Sequence, residues 1–114
     1  MATALLIDVV DQSVTTIEID TPSDILVEIG NDCQSTDGYK MPNGDYLCYN
    51  IEALYKTPEG GFSIVPMNWL LMGKAVVVGW DENNGSILDC TSTPTEILNA
   101  LTWYDVAYCE QAQK

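Results

Sequence analysis

Residues 74–80 read Lys-Ala-Val-Val-Val-Gly-Trp and give the clearest strand signal in the chain. Three consecutive valines leave this run without a polar face, so we expect a central strand that is covered on both sides of its sheet. Asn84-Gly85 follows closely and predicts a tight hairpin turn of type I′, which needs positive φ at both central residues. The returning strand is expected over residues 86–90.

The segments before this run predict further antiparallel strands. Asn43-Gly44 is a second type I′ hairpin signal. Residues 14–19 alternate apolar and polar side chains, which predicts one half of an N-terminal hairpin whose polar face carries Glu18 and Asp20. These strands are expected over residues 4–10, 14–19, 39–41, 45–50 and 62–65.

Two segments of the form Thr-Pro-x-acid, at 21–24 and 93–96, are typical of helix starts. The threonine can cap the helix, proline suits the first helical position, and the acid meets free backbone amides, with Glu96 completing a capping box. The second helix is expected to bury one face formed by Ile97, Leu98, Leu101 and Tyr104. Residues 66–71 are a weaker helix candidate, and residues 51–56 suit either a strand or a helical turn.

The pattern as a whole predicts a single α+β domain over residues 1–114. We expect a mostly antiparallel sheet of five to six strands with two helices packed on it. A chain of this length has enough residues to build its own core without disulfides or metals.

Charge is the most unusual property of the sequence. The chain has 17 acidic residues, four lysines, no arginine and no histidine, for a formal net charge of −13. Residues 1–37 and 75–113 contain no basic residue and carry eight and six of the acids. Such a field disfavours direct contact with nucleic acid or anionic membranes and favours a protein partner with a basic surface.

The residue types that usually perform catalysis are missing or isolated. Without histidine there is no ordinary general base near neutral pH, and without arginine there is no bidentate clamp for phosphate or carboxylate. We therefore expect no enzymatic activity, no catalytic residues and no cofactor. The four cysteines form no close pair, so we expect no metal site and free thiols in a reducing cytoplasm. They are Cys33, Cys48, Cys90 and Cys109.

Neither a membrane span nor a secretion signal is expected. No apolar run approaches the roughly 18 residues that a spanning helix needs. The first ten residues carry no basic side chain and include Asp8 within their apolar stretch, which is unlike a signal peptide. The expected location is the cytoplasm.

A binding surface is predicted where the acids lie closest together. Strand geometry places Glu18 and Asp20 roughly 6.5–7 Å apart, and helix geometry places Asp24 and Glu28 about 6 Å apart. This spacing is similar to that of consecutive phosphates on a nucleic-acid strand, so the surface is suited to a basic groove that normally holds nucleic acid. The alternative is a solvated surface that only keeps the protein soluble. The candidate binding residues are Glu18, Asp20, Asp24, Glu28 and Asp32.

The aromatic residues support a second hypothesis. Trp69, Trp80 and Trp103, with six tyrosines, are suited either to the core or to the walls of a ligand pocket. Since the chain has no arginine to hold a phosphate, such a pocket favours a neutral or cationic small molecule. A third hypothesis is a structural protein that assembles as a homo-oligomer.

Five segments stand out by their order along the chain, namely Ala4–Asp8, Val14–Asp20, Ile29–Asp32, Asn43–Leu47 and Gly73–Glu82. In this order they resemble a family of short phage and prophage proteins of unknown function. The resemblance implies a viral accessory protein in the host cytoplasm and transfers no catalytic residue. Together with the charge, it gives the leading hypothesis, a protein that binds and inhibits a host nucleic-acid-handling or defence protein.

Overall fold

The computed structural model describes residues 1–29, 36–50, 59–65 and 69–112. These residues contain two antiparallel sheets and three helices. The first half contains β1 (Ala2–Asp8), β2 (Ser13–Ile19), α1 (Pro22–Ile29), β3 (Thr36–Lys40) and β4 (Tyr46–Asn50). The second half contains β5 (Gly61–Ile64), β6 (Leu71–Met72), β7 (Ala75–Asp81), β8 (Ser86–Leu88), α2 (Pro94–Ala100), β9 (Leu101–Tyr104) and α3 (Val106–Ala112). The expected α+β class with a mostly antiparallel sheet is confirmed.

The larger sheet has six strands in the order β2-β1-β7-β4-β3, with β8 pairing the end of β7. Leu5 and Leu47 both pair with Val77, so β7 lies between β1 and β4. Val76 and Val77 are fully buried, and they point to opposite faces of the sheet because successive side chains alternate. The prediction of a central strand covered on both sides is confirmed.

Each face of the larger sheet has its own hydrophobic core. On one face α1 packs through Ile25 and Ile29 against Ala4, Ile19, Val76 and Val78. On the other face the smaller sheet and α2 contribute Phe62, Ile64 and Ile97, which pack against residues such as Leu5, Leu47 and Val77. The molecule is therefore layered, with the larger sheet in the middle.

The smaller sheet has the order β6-β5-β9 and was not predicted as a separate sheet. The second predicted helix does begin with the expected capping box of Thr93 and Glu96. It ends at Ala100, however, because Leu101 adopts an extended conformation with φ −90° and ψ 146°. Trp103 and Tyr104 then pair with Phe62 and Gly61 of β5. The expectation that this helix continues to Tyr104 was wrong, because pairing with β5 outweighs the helical periodicity.

The described residues contain a third helix, α3, so the expectation of two helices was wrong. It begins after Asp105, whose carboxylate accepts a hydrogen bond from the backbone N–H of Tyr108 at 2.8 Å. Cys109 is its buried residue. The ring of Tyr108 stacks on that of Tyr104 with centroids 4.7 Å apart. A seven-residue helix of this kind has too few turns to show a clear apolar period.

Both Asn-Gly segments form hairpin turns, but neither turn is of type I′. Gly44 and Gly85 have φ of 94° and 66°, whereas neither Asn43 nor Asn84 has positive φ. The backbone N–H of Gly44 donates to the Met41 carbonyl at 3.0 Å, which gives a longer turn with a single left-handed glycine. The hairpin positions were predicted correctly and the turn type was not.

Some sequence predictions lie outside the described ranges. These are the end of the first helix at residues 30–31, the segment 51–56, and residues 66–68 of the weaker helix candidate. The end of that candidate at Leu71 belongs to β6, and β3 begins at Thr36, three residues before its predicted start. No helix within the described ranges is long and apolar enough to cross a bilayer.

Candidate functional site

Acidic side chains gather at one end of the larger sheet. Because β7 runs antiparallel to β1 and β4, its last residues lie beside the first residues of those strands. The last residues of β2 lie at the same end, on the other side of β1. The start of α1 and the turn after β7 lie at the same end. We call this region the acidic end and define it by the carboxylates of Glu18, Asp20, Asp24, Asp81, Glu82 and Asp89.

Asp20 and Asp24 are the predicted site residues that the structure brings together. One carboxylate oxygen of Asp24 accepts hydrogen bonds from the backbone N–H of Asp20 at 2.8 Å and of Thr21 at 3.1 Å. These bonds, that from Asp20 foremost, hold the pKa of Asp24 below its ordinary value. Asp20 itself lies 3.3 Å from the amino group of Met1. Asp24 thus stabilises the start of α1 and places a negative charge beside Asp20 at the acidic end.

Glu18 and Glu28 do not share a face. Glu18 pairs with Thr3 and is exposed. Ile17 and Ile19 on either side of it pack in the core beneath α1, so Glu18 points to the opposite face of the sheet. Glu28 lies in the last turn of α1 and is half-buried. Asp32, the fifth predicted residue, lies outside the described ranges.

Asp89 belongs to the acidic end but was missed in the sequence. Its carboxylate accepts a hydrogen bond from the backbone N–H of Thr3 at 2.8 Å, across 86 residues of chain. The next residue, Cys90, donates its own N–H to the Thr3 carbonyl at 2.9 Å. Thr3 therefore lies between Glu18 and Asp89. Because Thr3 and Asp89 are distant in sequence, no local sequence pattern predicts this contact.

Gly79 makes the approach of residues 88–89 possible. A Cβ added at Gly79 would lie 2.4 Å from the Asp89 carbonyl oxygen and 2.8 Å from that of Leu88. Real Cβ atoms do not approach backbone so closely. The absence of a side chain at Gly79 therefore lets the chain cross β7 and place Asp89 beside β1.

Glu82 is held by two side chains from the other half of the sheet. Its Oε1 accepts a hydrogen bond from the hydroxyl of Tyr46 at 2.6 Å and another from Nζ of Lys40 at 2.9 Å. The Tyr46 bond first, and then Lys40, hold the pKa of Glu82 below its ordinary value. Lys40 is the only lysine of the described ranges at this end, because Lys74 lies at the opposite end, 4.0 Å from Asp8.

The bond to Glu82 raises the pKa of Tyr46 above its ordinary value of 10.0. Any stability that this neutral phenol contributes is present below about pH 10 and is lost as the pH rises through the folded-state pKa. Replacing Glu82 with glutamine removes the negative acceptor. We expect one tyrosine of the Glu82→Gln variant to ionise at lower pH than in the wild type, as measured by ultraviolet titration. In a Tyr46→Phe background the same replacement should leave the titration unchanged, and a persisting difference would contradict the assignment.

A groove of about 230 Å³ opens at the acidic end beneath the start of α1. Tyr46 and Trp80 contribute aromatic side chains from neighbouring strands, and the remaining walls are apolar. The predicted aromatic set is not gathered in one place, because Trp69 is 63% exposed and Trp103 packs on the core of the opposite face. The groove is lined by Pro22, Ile25, Tyr46, Cys48, Val78 and Trp80.

Cys48 adds no nucleophile to this groove. Burial raises the pKa of its thiol to about 11, so the thiol is protonated at neutral pH. Cys90 and Cys109 are also free and have raised pKa values for the same reason, whereas Cys33 lies outside the described ranges. Among the described residues no group of three or more cysteine or acidic side chains is arranged to hold a metal ion.

A second unpredicted carboxylate, that of Asp45, is buried and serves the fold. Asp45 is only 2% exposed. It accepts hydrogen bonds from the backbone N–H of Thr91 at 2.9 Å and of Ser92 at 2.8 Å. The hydroxyl of Ser92 donates a further bond at 2.7 Å. Asp45 thereby ties the hairpin between β3 and β4 to the segment that leads into α2.

Comparison of the chain with protein-family models, with curated proteins and with solved structures found no match. The resemblance to short phage proteins therefore stays a prediction.

Proposed function

We propose that the protein is a non-enzymatic viral accessory protein whose acidic end binds the basic surface of a host protein and inhibits it. The expected target is a protein that handles nucleic acid or acts in defence, because its basic surface is built to accept closely spaced negative charges. One observation carries the proposal. Six carboxylates lie at one end of the larger sheet, and the two cationic groups of the described ranges at that end, Lys40 and the amino group of Met1, are already paired with Glu82 and Asp20.

Some carboxylates of the acidic end are held in place before any partner arrives. Asp24, Glu82 and Asp89 each accept hydrogen bonds from groups of the fold. A side chain that is already ordered loses little conformational entropy on binding, which favours affinity. The summed negative field, in addition, raises the rate at which a basic partner arrives.

The proposal of a non-enzymatic role has its own support. The sequence has no histidine or arginine, and the three described cysteines have thiols whose pKa values are raised. A raised pKa lowers the thiolate fraction and with it the nucleophilicity at neutral pH. These residues offer no nucleophile paired with a base.

The test compares two double variants of equal charge. Glu18→Gln with Asp20→Asn neutralises exposed residues of the acidic end, whereas Glu59→Gln with Asp11→Asn neutralises exposed residues remote from it. A protein captured from bacterial lysate by the wild type is identified and purified, and its dissociation constant is measured for each variant at two salt concentrations. We expect about 3–10-fold weaker binding for the acidic-end variant only, since each exposed charge contributes little, and a further loss at high salt.

Three outcomes would contradict the proposal. Binding that is insensitive to salt would exclude an electrostatic surface. Equal loss in both double variants would assign the effect to net charge rather than to the acidic end. Purified wild type that captures no basic protein, but retains a small molecule or forms a symmetric oligomer, would instead favour the ligand-binding or self-assembly hypothesis.

A further inference from the structure

We propose that the groove beneath the start of α1 is a pocket for an arginine side chain of the basic partner. The inference deepens the proposed function and rests on it. The proposed pocket consists of the six residues that line the groove and of Glu82, which accepts a hydrogen bond from the lining residue Tyr46.

The size of the groove favours a side chain over a whole ligand. Pockets for drug-sized molecules have volumes of roughly 300–1,000 Å³, whereas this groove has about 230 Å³. Pro22, Ile25 and Val78 give it apolar walls that suit the methylene stem of a long side chain. A partner that inserts one such side chain buries apolar surface next to the charged groups of the acidic end, and buried anchors of this kind are typical of binding hot spots.

The aromatic walls favour a cation at the end of that stem. Tyr46 and Trp80 line the same groove from β4 and β7. The faces of tyrosine and tryptophan rings attract a cation within about 6 Å, and tryptophan does so most strongly. A planar guanidinium can also stack on such rings and is more weakly hydrated than an ammonium group, so it loses less on leaving water.

Glu82 supplies the charge that fixes the cation. Tyr46 lines the groove and its hydroxyl donates to Glu82 Oε1, so Glu82 lies directly beside the wall that Tyr46 forms. Lys40 bonds this same oxygen. In the described ranges no donor is bonded to Oε2, and this oxygen can therefore accept from a guanidinium without displacing either partner.

Free arginine-like probes test the pocket without the partner. The probes are N-acetyl-arginine amide, its lysine counterpart and its neutral citrulline counterpart, which keeps the shape of arginine but not the charge. The readout is the indole N–H resonance of Trp80 in a two-dimensional NMR spectrum, assigned by its loss in Trp80→Phe. We expect the arginine probe to shift this resonance in the millimolar range, with the citrulline probe at least tenfold weaker and the lysine probe about threefold weaker.

Two single variants locate the charge. Glu82→Gln is expected to weaken the arginine probe about threefold or more, whereas Asp11→Asn, of equal charge change at the far end of the sheet, should leave its binding unchanged. Equal binding of the arginine and citrulline probes, or no shift at Trp80, would overturn the pocket. The same pair of variants is then compared against the purified partner, where only Glu82→Gln should weaken binding.

The two proposals fail separately. Loss of partner binding in Glu18→Gln with Asp20→Asn, without any arginine response at Trp80, keeps the proposed function and overturns the pocket. An arginine response that depends on Glu82, in a protein that captures no basic partner, supports the cation pocket and overturns the proposed function.

Discussion

Replacing Asp45 with alanine is expected to lower the free energy of unfolding by about 3–4 kcal/mol. The carboxylate is buried and accepts hydrogen bonds from Thr91 and from both the backbone and the hydroxyl of Ser92. Its removal leaves donors in a closed environment without an acceptor, and each stranded donor costs about 1–3 kcal/mol. The total stays below the simple sum because the loop can relax and admit water.

The measurement for Asp45→Ala is unfolding in urea followed by circular dichroism. A lower midpoint at an unchanged slope would report the loss of stability directly. Asp11→Ala removes the same charge from an exposed position and is expected to change the free energy of unfolding by no more than about 0.5 kcal/mol. A loss below about 1 kcal/mol for Asp45→Ala would show that its hydrogen bonds do not tie the hairpin to α2.

Replacing Gly79 with alanine is expected to cost about 2–3 kcal/mol of stability and to displace residues 88–89. The added Cβ would lie 2.4 Å from the carbonyl oxygen of Asp89, which is backbone and has no alternative rotamer. The chain must then move away from β7. Because the Asp89 carboxylate accepts from the Thr3 N–H, that bond should weaken as well. The amide of Thr3 should consequently exchange its hydrogen faster.

Gly38→Ala is the matched control for Gly79→Ala. Gly38 also lies in a strand of the larger sheet, but an added Cβ there would meet its nearest atom, in the Tyr46 side chain, at an ordinary 3.8 Å. We expect this variant to be neutral or stabilised by up to about 1 kcal/mol, because alanine restricts the unfolded chain. Thermal unfolding of both variants decides the matter, and equal melting temperatures would argue against the close crossing at Gly79.

Local signals in the sequence predicted those parts of the fold that depend on neighbouring residues. The valines of β7 indicated a buried central strand, and Thr93 with Glu96 indicated the start of α2. Tyr104 was assigned to that helix by its spacing, but β9 forms because β5 lies beside it. Pairing between distant strands contributes more than helical periodicity there, and the sequence shows no sign of it.

The candidate site was predictable in composition and not in arrangement. The acidic bias was evident, yet strand alternation placed Glu18 and Asp20 on one face, and β2 in fact ends at Ile19. Asp20 therefore lies in the turn between β2 and α1, where strand alternation does not determine the direction of its side chain. Tyr46, Trp80 and Glu82 come together only through the register of β4 with β7. Contacts of this kind depend on topology, which no short motif specifies.

The position of β7 in the sheet also constrains how the protein folds. β1 and β2 can pair early as a hairpin, and so can β3 and β4, because each pair is close in sequence. The strand that joins the two hairpins is β7, which is synthesised after all four of their strands. It pairs with both inner strands, for example through Val77 with Leu5 and Leu47. On a ribosome, both hairpins must wait with unpaired inner edges until β7 emerges. Such long-range closure slows folding, and it leaves two unpaired strand edges exposed in the nascent chain until β7 is made.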